Sequence, residues 1–409
     1  MRYSYEWHGF AEGHSVSLYM RKGLISGRIQ SPNGNYLVSS TGLGNEVVLK
    51  AFKDNIQMHP PNTREKKITD SLSSDSLKGS IVEWNPGCNG MPGPGKHFID
   101  VLFLYTPEAA SGAGGVALLE TMAHAAVADA NATIDNSGIT NAEVRLAGLQ
   151  PAPNGHGEDS STDLTDHLDW VAGTQDVEVD TSNVGNPSVI ALRDQYYADV
   201  VTLLLDDAFE FVGPNREEFC GLAFIPYQFS VGGPGINPGS PYEPFAYSVV
   251  ELECAIGFQD FTHELGHLLG LNHDPRNSQT TAPTALAPDP ACPGSYGHRD
   301  GQNPDPALRF RTAVASYIQG QFRDGPLGCV GGTSAGCPGQ PVFSNPNLAW
   351  TGANGIQPAE LFPDSPRMGV LNAANGDEDA NNWLTFEKMA PLIANYRVDM
   401  LFSDGFESQ

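Results

Sequence analysis

The stretch from residue 263 to residue 274, HELGHLLGLNHD, decides the fold. It places three of the chain's eleven histidines close together. Residues four apart share one face of a helix, so His263 and His267 are predicted to point the same way. Gly270 can adopt the left-handed conformation that ends a helix and turns the chain, which returns His273 toward the other two. Three imidazoles within reach of one point are a favoured ligand set for a catalytic zinc ion.

Glu264 stands beside the first of these histidines. A zinc ion held by His263, His267 and His273 lowers the pKa of bound water, but a base must still take the proton and pass it to a leaving amine. We predict that Glu264 is this general base and that the chain binds one catalytic Zn²⁺. The pattern HExxHxxGxxH fixes five positions, and chance matches arise on the order of once in ten thousand chains of this composition.

HELGHLLGLNHD matches the signature of the metzincin zinc peptidases, and Asp274 after the third histidine resembles their reprolysin or adamalysin branch. The segments IDVLFLYTPEAA, CGLAFI and FSNPNLAWTG look like those of bacterial secreted reprolysin-like peptidases, so the likeness spans about residues 97–398. The resemblance implies an α/β (α+β) metzincin fold with a twisted mixed sheet, two long helices above the cleft, the active-site helix below it and a small loop-rich C-terminal subdomain. It also implies a protein or peptide substrate.

One segment departs from the family pattern. Metzincins carry a methionine turn beneath the metal, and the matching stretch here is FRTAVASY, residues 310–317. Val314 or Ala315 stands in place of the methionine, and Val314 is predicted to supply a smaller apolar floor. Tyr317 is predicted either to lie near the metal or the specificity pocket or, as is commoner for such a residue, to pack in the core.

Four regions follow from pattern and composition. Residues 1–52 alternate like a small antiparallel β domain that resembles a prosegment, with a turn at Lys22–Gly23. Residues 53–96 are polar and rich in Pro and Gly, which indicates a linker. Residues 97–398 are predicted to form the catalytic domain, with a late helix interrupted at Pro391, and residues 399–409 are predicted to form a tail.

The net charge of −26 excludes some partners. It opposes binding to a phosphate backbone or an anionic membrane surface, so neither nucleic acid nor membrane insertion is expected. No apolar run approaches the roughly 20 residues that a spanning helix needs. The even number of six cysteines, without any CxxC pair, favours disulfides in an oxidising compartment. We expect a secreted, extracellular bacterial protein and a monomer.

Cys88, in NPGCNGMPGPGK, has two interpretations. It can form a structural disulfide: if Cys220 pairs with Cys254 and Cys329 with Cys337, Cys292 is left as its partner. Alternatively, its thiolate can bind the zinc and keep the protein latent, as the family resemblance suggests. The even cysteine count favours the disulfide.

A calcium site is a weaker prediction. NGDEDANN, residues 375–382, offers side-chain oxygens but lacks EF-hand spacing. Among the remaining histidines, His124 is expected to be a buried structural residue, whereas His156 and His167 lie in an acidic segment that is expected to form a solvated face.

The sequence therefore predicts a secreted zinc endopeptidase, with two alternatives. One is a non-catalytic, zinc-stabilised binding or adhesion protein on the same fold. The other is a latent proenzyme with residues 1–96 as prosegment. An intact Glu264 argues against the first alternative, because a structural zinc site needs no base.

Overall fold

A computed structural model describes most of the chain. The residues described are 4–11, 14–31, 34–41, 46–51, 95–173, 186–212, 215–225, 243–274, 292, 294–301, 303–315, 339–371 and 379–397. Every structural statement below concerns these residues.

The N-terminal region is an antiparallel sheet of five strands in chain order. The strands are β1 (Ser4–Ala11), β2 (His14–Arg21), β3 (Leu24–Ser31), β4 (Gly34–Ser40) and β5 (Val47–Ala51). Lys22 and Gly23 join β2 to β3 with φ angles of 52° and 81°. Two consecutive positive φ angles define the tight hairpin turn that matches strand twist, and glycine accommodates the second one without strain.

A mixed five-stranded sheet forms the centre of the molecule. Its strands are β6 (His97–Tyr105), β7 (Ala142–Pro151), β8 (Val200–Leu205), β11 (Gly221–Ala223) and β12 (Tyr247–Glu251), in the order β11-β12-β8-β6-β7. The four strands from β12 to β7 are parallel, and β11 pairs antiparallel with β12 at one edge. β6 and β8 are apolar and buried because helices cover both faces of the sheet. A separate hairpin consists of β9 (Phe209–Val212) and β10 (Asn215–Glu218).

Seven helices accompany the sheets in the described part of the chain. They are α1 (Pro107–Gly112), α2 (Val116–Asn136), α3 (Leu164–Ala172), α4 (Pro187–Gln195), α5 (Leu252–Gly257), α6 (Asp260–Leu268) and α7 (Asn382–Ile393). Only α2 is long, with 21 residues, whereas α3 and α4 have nine each. The expectation of two long helices was therefore wrong for the described residues. α2 packs against β7 and α6, which brings the longest helix next to the histidine motif.

The C-terminal part contains short strands and the last helix. The strands are β13 (Arg299–Asp300), β14 (Phe310–Arg311), β15 (Asn345–Trp350), β16 (Ile356–Pro358) and β17 (Arg367–Met368). The predicted interruption at Pro391 was wrong, because α7 continues through this residue. Proline has no N–H to donate to the carbonyl of Glu387, four residues earlier. Asn141 Nδ2 donates to that carbonyl instead, at 2.9 Å.

The N-terminal sheet packs on α2 and α5 of the central unit. Arg28 on β3 donates from Nε to both oxygens of Asp129 on α2, at 3.2 and 3.3 Å, and both side chains are 2% exposed. Tyr19 stacks on His124, with ring centroids 5.5 Å apart. At the rim, Lys50 pairs with Glu253. Tyr19 and Leu37 belong to the same buried cluster as the central sheet, so the two units share a hydrophobic core.

Candidate metal centre

The histidine motif forms α6 and the turn that follows it. The helix ends in a Schellman motif: Gly270 N–H donates to the His267 carbonyl at 2.8 Å, and Leu271 N–H donates to the Gly266 carbonyl at 3.0 Å. Gly270 has φ 80°, the left-handed conformation that glycine adopts readily. The turn reverses the chain and brings His273 back over the helix face.

The three imidazoles converge on one point. His273 Nε2 lies 3.1 Å from His263 Nε2 and 3.2 Å from His267 Nε2. Two nitrogens bound tetrahedrally to zinc at about 2.0–2.1 Å are separated by roughly 3.3 Å. All three side chains are buried, with exposures of 0, 1 and 6%. The cluster therefore fits a zinc ion held by three Nε2 atoms.

Backbone carbonyls orient two of the three rings. His263 Nδ1 lies 2.8 Å from the Ala313 carbonyl, and His267 Nδ1 lies 2.8 Å from the Leu271 carbonyl. A carbonyl only accepts, so each Nδ1 carries the proton and each Nε2 lone pair is left for the metal. The motif predicted that the three histidines lie together but not these two carbonyls, because the residue types of a sequence do not show which backbone carbonyl accepts a hydrogen bond.

Burial keeps the third histidine of the cluster neutral. It lowers the pKa of His273 to about 4, while Asp274 acts in the opposite direction and the positive charge of Arg311 adds to the lowering. Metal binding requires neutral imidazole, so this ring is in the binding form at neutral pH. Asp274 in turn forms an ion pair with Arg299, with 3.5 Å between Asp274 Oδ1 and Arg299 Nη2.

Glu264 follows His263 in α6, and its carboxyl group lies close to the edge strand β11. It is fully buried, and a Cβ atom added to Gly221 would stand 3.0 Å from its Oε1. β11 pairs with β12 along one side only in the described sheet. A carboxylate beside the metal ligands and beside an unpaired strand edge can act on a peptide that binds along that edge.

Val314 lies directly under the active-site helix. It is fully buried, and its Cγ2 atom would be 2.7 Å from a Cβ atom added to Gly266, the residue that precedes His267. The adjacent Ala313 supplies the carbonyl that accepts from His263. The turn that contains Val314 thus contacts the helix through one hydrogen bond and through apolar packing.

Other predicted site residues lie outside the described part of the chain. They are Cys88 and Tyr317, with Cys329, Cys337 and the first half of the proposed calcium segment. In the described residues, the groups able to hold a metal are the three histidines and the trio of Cys220, Glu251 and Cys254. The cysteines of that trio form a disulfide, so neither group supports calcium. Cys292 is also disulfide-bonded.

The remaining histidines take part in packing, and the expectation of a solvated face was wrong for His167, which is 1% exposed. His156 Nε2 lies 2.9 Å from His167 Nδ1, and the ring of His156 stacks on Trp170 at 3.6 Å between centroids. His124 stacks on Tyr19. No helix in the described residues has the length and apolarity to cross a membrane.

The sequence model of metallo-peptidase family M12 matches residues 96–304, which is more than half of the chain. Three relatives are named peptidyl-Asp metalloendopeptidase. The protein of Stenotrophomonas maltophilia (strain R551-3) is 29% identical over 256 residues, 62% of this chain and 46% of that protein. Those of Xanthomonas campestris pv. campestris and Pseudomonas aeruginosa are each 27% identical, over 62% and 43% of this chain and 45% and 25% of their own lengths. The chain thus spans less than half the length of these relatives.

A solved structure described as a chaperone-substrate complex aligns with 91% of this chain and 39% of its own. The TM-score of 0.43 and the identity of 14% are too low to support an argument about the fold.

Proposed function

This chain belongs to metallo-peptidase family M12, and on that basis we propose that it is a zinc-dependent endopeptidase. The observation that carries the proposal is the convergence of three imidazole Nε2 atoms beside a buried glutamate at a sheet edge. We propose His263, His267 and His273 as the zinc ligands and Glu264 as the general base. A purely structural zinc site would not need that carboxylate.

The protein residues have distinct roles in this reaction. Zinc, when bound, polarises the scissile carbonyl and lowers the pKa of water. Glu264 accepts a proton from the attacking water and donates it to the leaving nitrogen. The Ala313 and Leu271 carbonyls hold the rings of His263 and His267 in the tautomer that the metal requires.

The edge strand is the proposed binding site for the peptide backbone. The backbone groups of Cys220 and Phe224 point toward β12. The Cys220 carbonyl accepts from Glu251 N–H at 2.7 Å, and Phe224 N–H donates to the Tyr247 carbonyl at 3.5 Å. In an antiparallel ladder the intervening Gly221 and Ala223 therefore direct their N–H and C=O groups toward the open edge. An extended peptide can add as a further strand there and bring its bond next to Glu264.

We propose that the cleaved bonds neighbour aspartate, as the names of the relatives say of those proteins. The net charge of −26 disfavours an acidic substrate at most of the surface, so a local cation is needed. We propose Arg311 as this cation, because it is buried and its positive charge lowers the pKa of His273. Sequencing the cleavage products of a random peptide library tests the substrate class. Pairs of peptides that differ only by Asp or Asn provide the control.

Secretion and latency are parts of the same proposal. The disulfide between Cys220 and Cys254 supports an oxidising, extracellular location. We propose that residues 1–96 form a prosegment and that Cys88 takes part either in a disulfide or in a thiolate contact with zinc. Counting free thiols in the denatured, unreduced chain distinguishes the two, because a fully disulfide-bonded chain has none.

Replacement of the base tests the central claim. Glu264→Ala is expected to keep its fold and bind one zinc per chain while kcat falls by several orders of magnitude, since base and metal act as a unit. Peptide cleavage and elemental analysis measure the two quantities. Full activity in a zinc-loaded Glu264→Ala protein would refute the role of Glu264, and loss of zinc from it would show a structural effect.

A further inference from the structure

Asp260 is a second buried acid on the active-site helix. It lies in the first turn of α6 and is fully buried. Neither carboxyl oxygen has a hydrogen-bond partner in the described structure. Because it precedes Glu264 by four residues, both side chains lie on the same helix face.

The two acids meet under the edge strand at Gly221. A Cβ atom added there would lie 2.2 Å from Asp260 Oδ2 and 3.0 Å from Glu264 Oε1. The same atom would be 2.9 Å from the Val249 carbonyl, so a larger residue has no space. Glycine at this position lets both carboxyl groups approach the strand and each other.

Two neighbouring carboxylates in a dry environment cannot both remain charged. Burial raises the pKa of Asp260 well above its usual value, and the positive charge of Arg311 opposes the rise. The proposed role of Glu264 as base requires Glu264, rather than Asp260, to be the carboxylate. A neutral Asp260 then has one O–H group, and Glu264 is the acceptor beside it.

We propose that Asp260 is a positioning residue that donates a hydrogen bond from its neutral carboxyl group to the carboxylate of Glu264. The bond holds Glu264 under Gly221, facing the three histidines. Asp260 keeps its proton through the reaction, so no proton has to be supplied or removed at this group. The inference rests on the proposed role of Glu264 as general base.

Asp260→Asn and Asp260→Ala form the matched pair of variants. Asparagine keeps the size and an N–H donor, whereas alanine removes the donor. We expect Asp260→Ala to lose about 10–100-fold in kcat, as is usual when an orienting partner is removed, with KM and zinc content little changed. Asp260→Asn is expected to recover most of kcat.

Infrared spectroscopy gives a readout that does not depend on activity. At neutral pH, the wild-type protein and Glu264→Gln should show the carbonyl band of a protonated carboxylic acid, shifted in D₂O. The difference spectrum of the wild-type protein minus Asp260→Asn should contain this band, because other buried acids with raised pKa values, such as Glu251, contribute equally to both spectra. The comparison needs no substrate, and it remains informative if Asp260→Ala does not fold.

The outcomes separate this inference from the proposed function. Wild-type kcat in folded Asp260→Ala, equal losses in the Asn and Ala variants, or a rise in KM alone would overturn the positioning role while leaving the peptidase proposal intact. Absence of the band from that difference spectrum would overturn it as well. If the zinc-loaded wild-type protein cleaves no peptide, the proposed function fails, and the positioning role falls with it.

Discussion

At Gly266, the helix that carries two of the histidines leaves no space for a side chain. A Cβ atom would lie 2.7 Å from Val314 Cγ2, closer than such atoms pack. We expect Gly266→Ala to lower the free energy of unfolding by about 1–3 kcal/mol, the usual cost of overpacking, despite alanine's higher helix propensity. Denaturant unfolding of the wild-type protein and of Gly266→Ala measures this change in free energy.

Val314→Ala provides the control for that prediction. In the double variant the smaller residue makes room for the new methyl group, so the loss should be less than the sum of the two single effects. Val314→Met should change the free energy of unfolding by less than about 2 kcal/mol, because a flexible apolar side chain can adapt. Complete misfolding of Val314→Met would contradict its assignment to the apolar floor.

His167 gives the molecule a predictable response to acid. Burial, with a smaller contribution from His156, lowers its pKa to about 4 from the 6.5 of an exposed histidine. As the pH falls, His167 therefore binds a proton in the unfolded chain at a higher pH than in the folded protein. The contribution of His167 to stability is complete above about pH 6.5 and is lost as the pH falls toward 4, by at most about 3 kcal/mol.

The test compares unfolding of the wild-type protein and His167→Gln at pH 7 and pH 4.5. Protonation of the three clustered histidines affects both proteins equally, so it cancels when their losses of unfolding free energy are compared. The wild-type protein should lose more stability than the variant over this interval. Equal losses would show that His167 titrates normally.

At the scale of residues, the sequence predicted that the three histidines lie together, because helix periodicity fixes the relation between His263 and His267. They did not predict Asp260 or Gly221 as neighbours of Glu264. That relation depends on how α6 packs against β11, and the spacing within the motif contains no information about a strand some forty residues away.

At the scale of elements, the disulfide from Cys220 to Cys254 joins the start of β11 to α5, the helix immediately before α6. It closes a segment with a sequence separation of 34 residues. The Cys220→Ala/Cys254→Ala protein should lose about 2–4 kcal/mol of unfolding free energy, since the unfolded chain gains conformational freedom. Urea unfolding of the double variant and of the oxidised parent checks this; equal midpoints and slopes would contradict it.

Strands and helices were predicted where the hydrophobic pattern is regular. The apolar run that forms β6 and the periodic segment that forms α2 are examples. The pattern failed at Pro391, because the residue that compensates for the missing N–H is Asn141, on a distant part of the chain. The antiparallel direction of β11 likewise depends on pairing, which local periodicity does not encode.

At the scale of the whole molecule, the Arg28–Asp129 pair connects the N-terminal sheet to α2. We expect Arg28→Ala to lower the free energy of unfolding by about 3–5 kcal/mol, because Asp129 is left buried and charged without its partner. The double variant Arg28→Met/Asp129→Leu should recover most of that loss. A similar loss in the double variant would show that packing, rather than the uncompensated charge, is responsible.

The alternation of apolar residues predicted a β unit at the N terminus, and the mixed α/β class of the chain is confirmed. The attachment of that unit to α2 and α5 was not predicted. Arg28 and Asp129 are 101 positions apart, and each alone is indistinguishable from an ordinary surface charge in the sequence.

The use of main-chain carbonyls at Ala313 and Leu271 to orient the histidines has an evolutionary consequence. Every amino acid has a carbonyl, so replacement of the side chain at either position does not by itself delete the acceptor. Sequence drift at these two sites is restricted only by packing and by the path of the chain. Side chains around the histidines can therefore change while the orientation of the rings persists, and an exchange between methionine and valine at position 314 leaves the Ala313 carbonyl in place as the acceptor for His263.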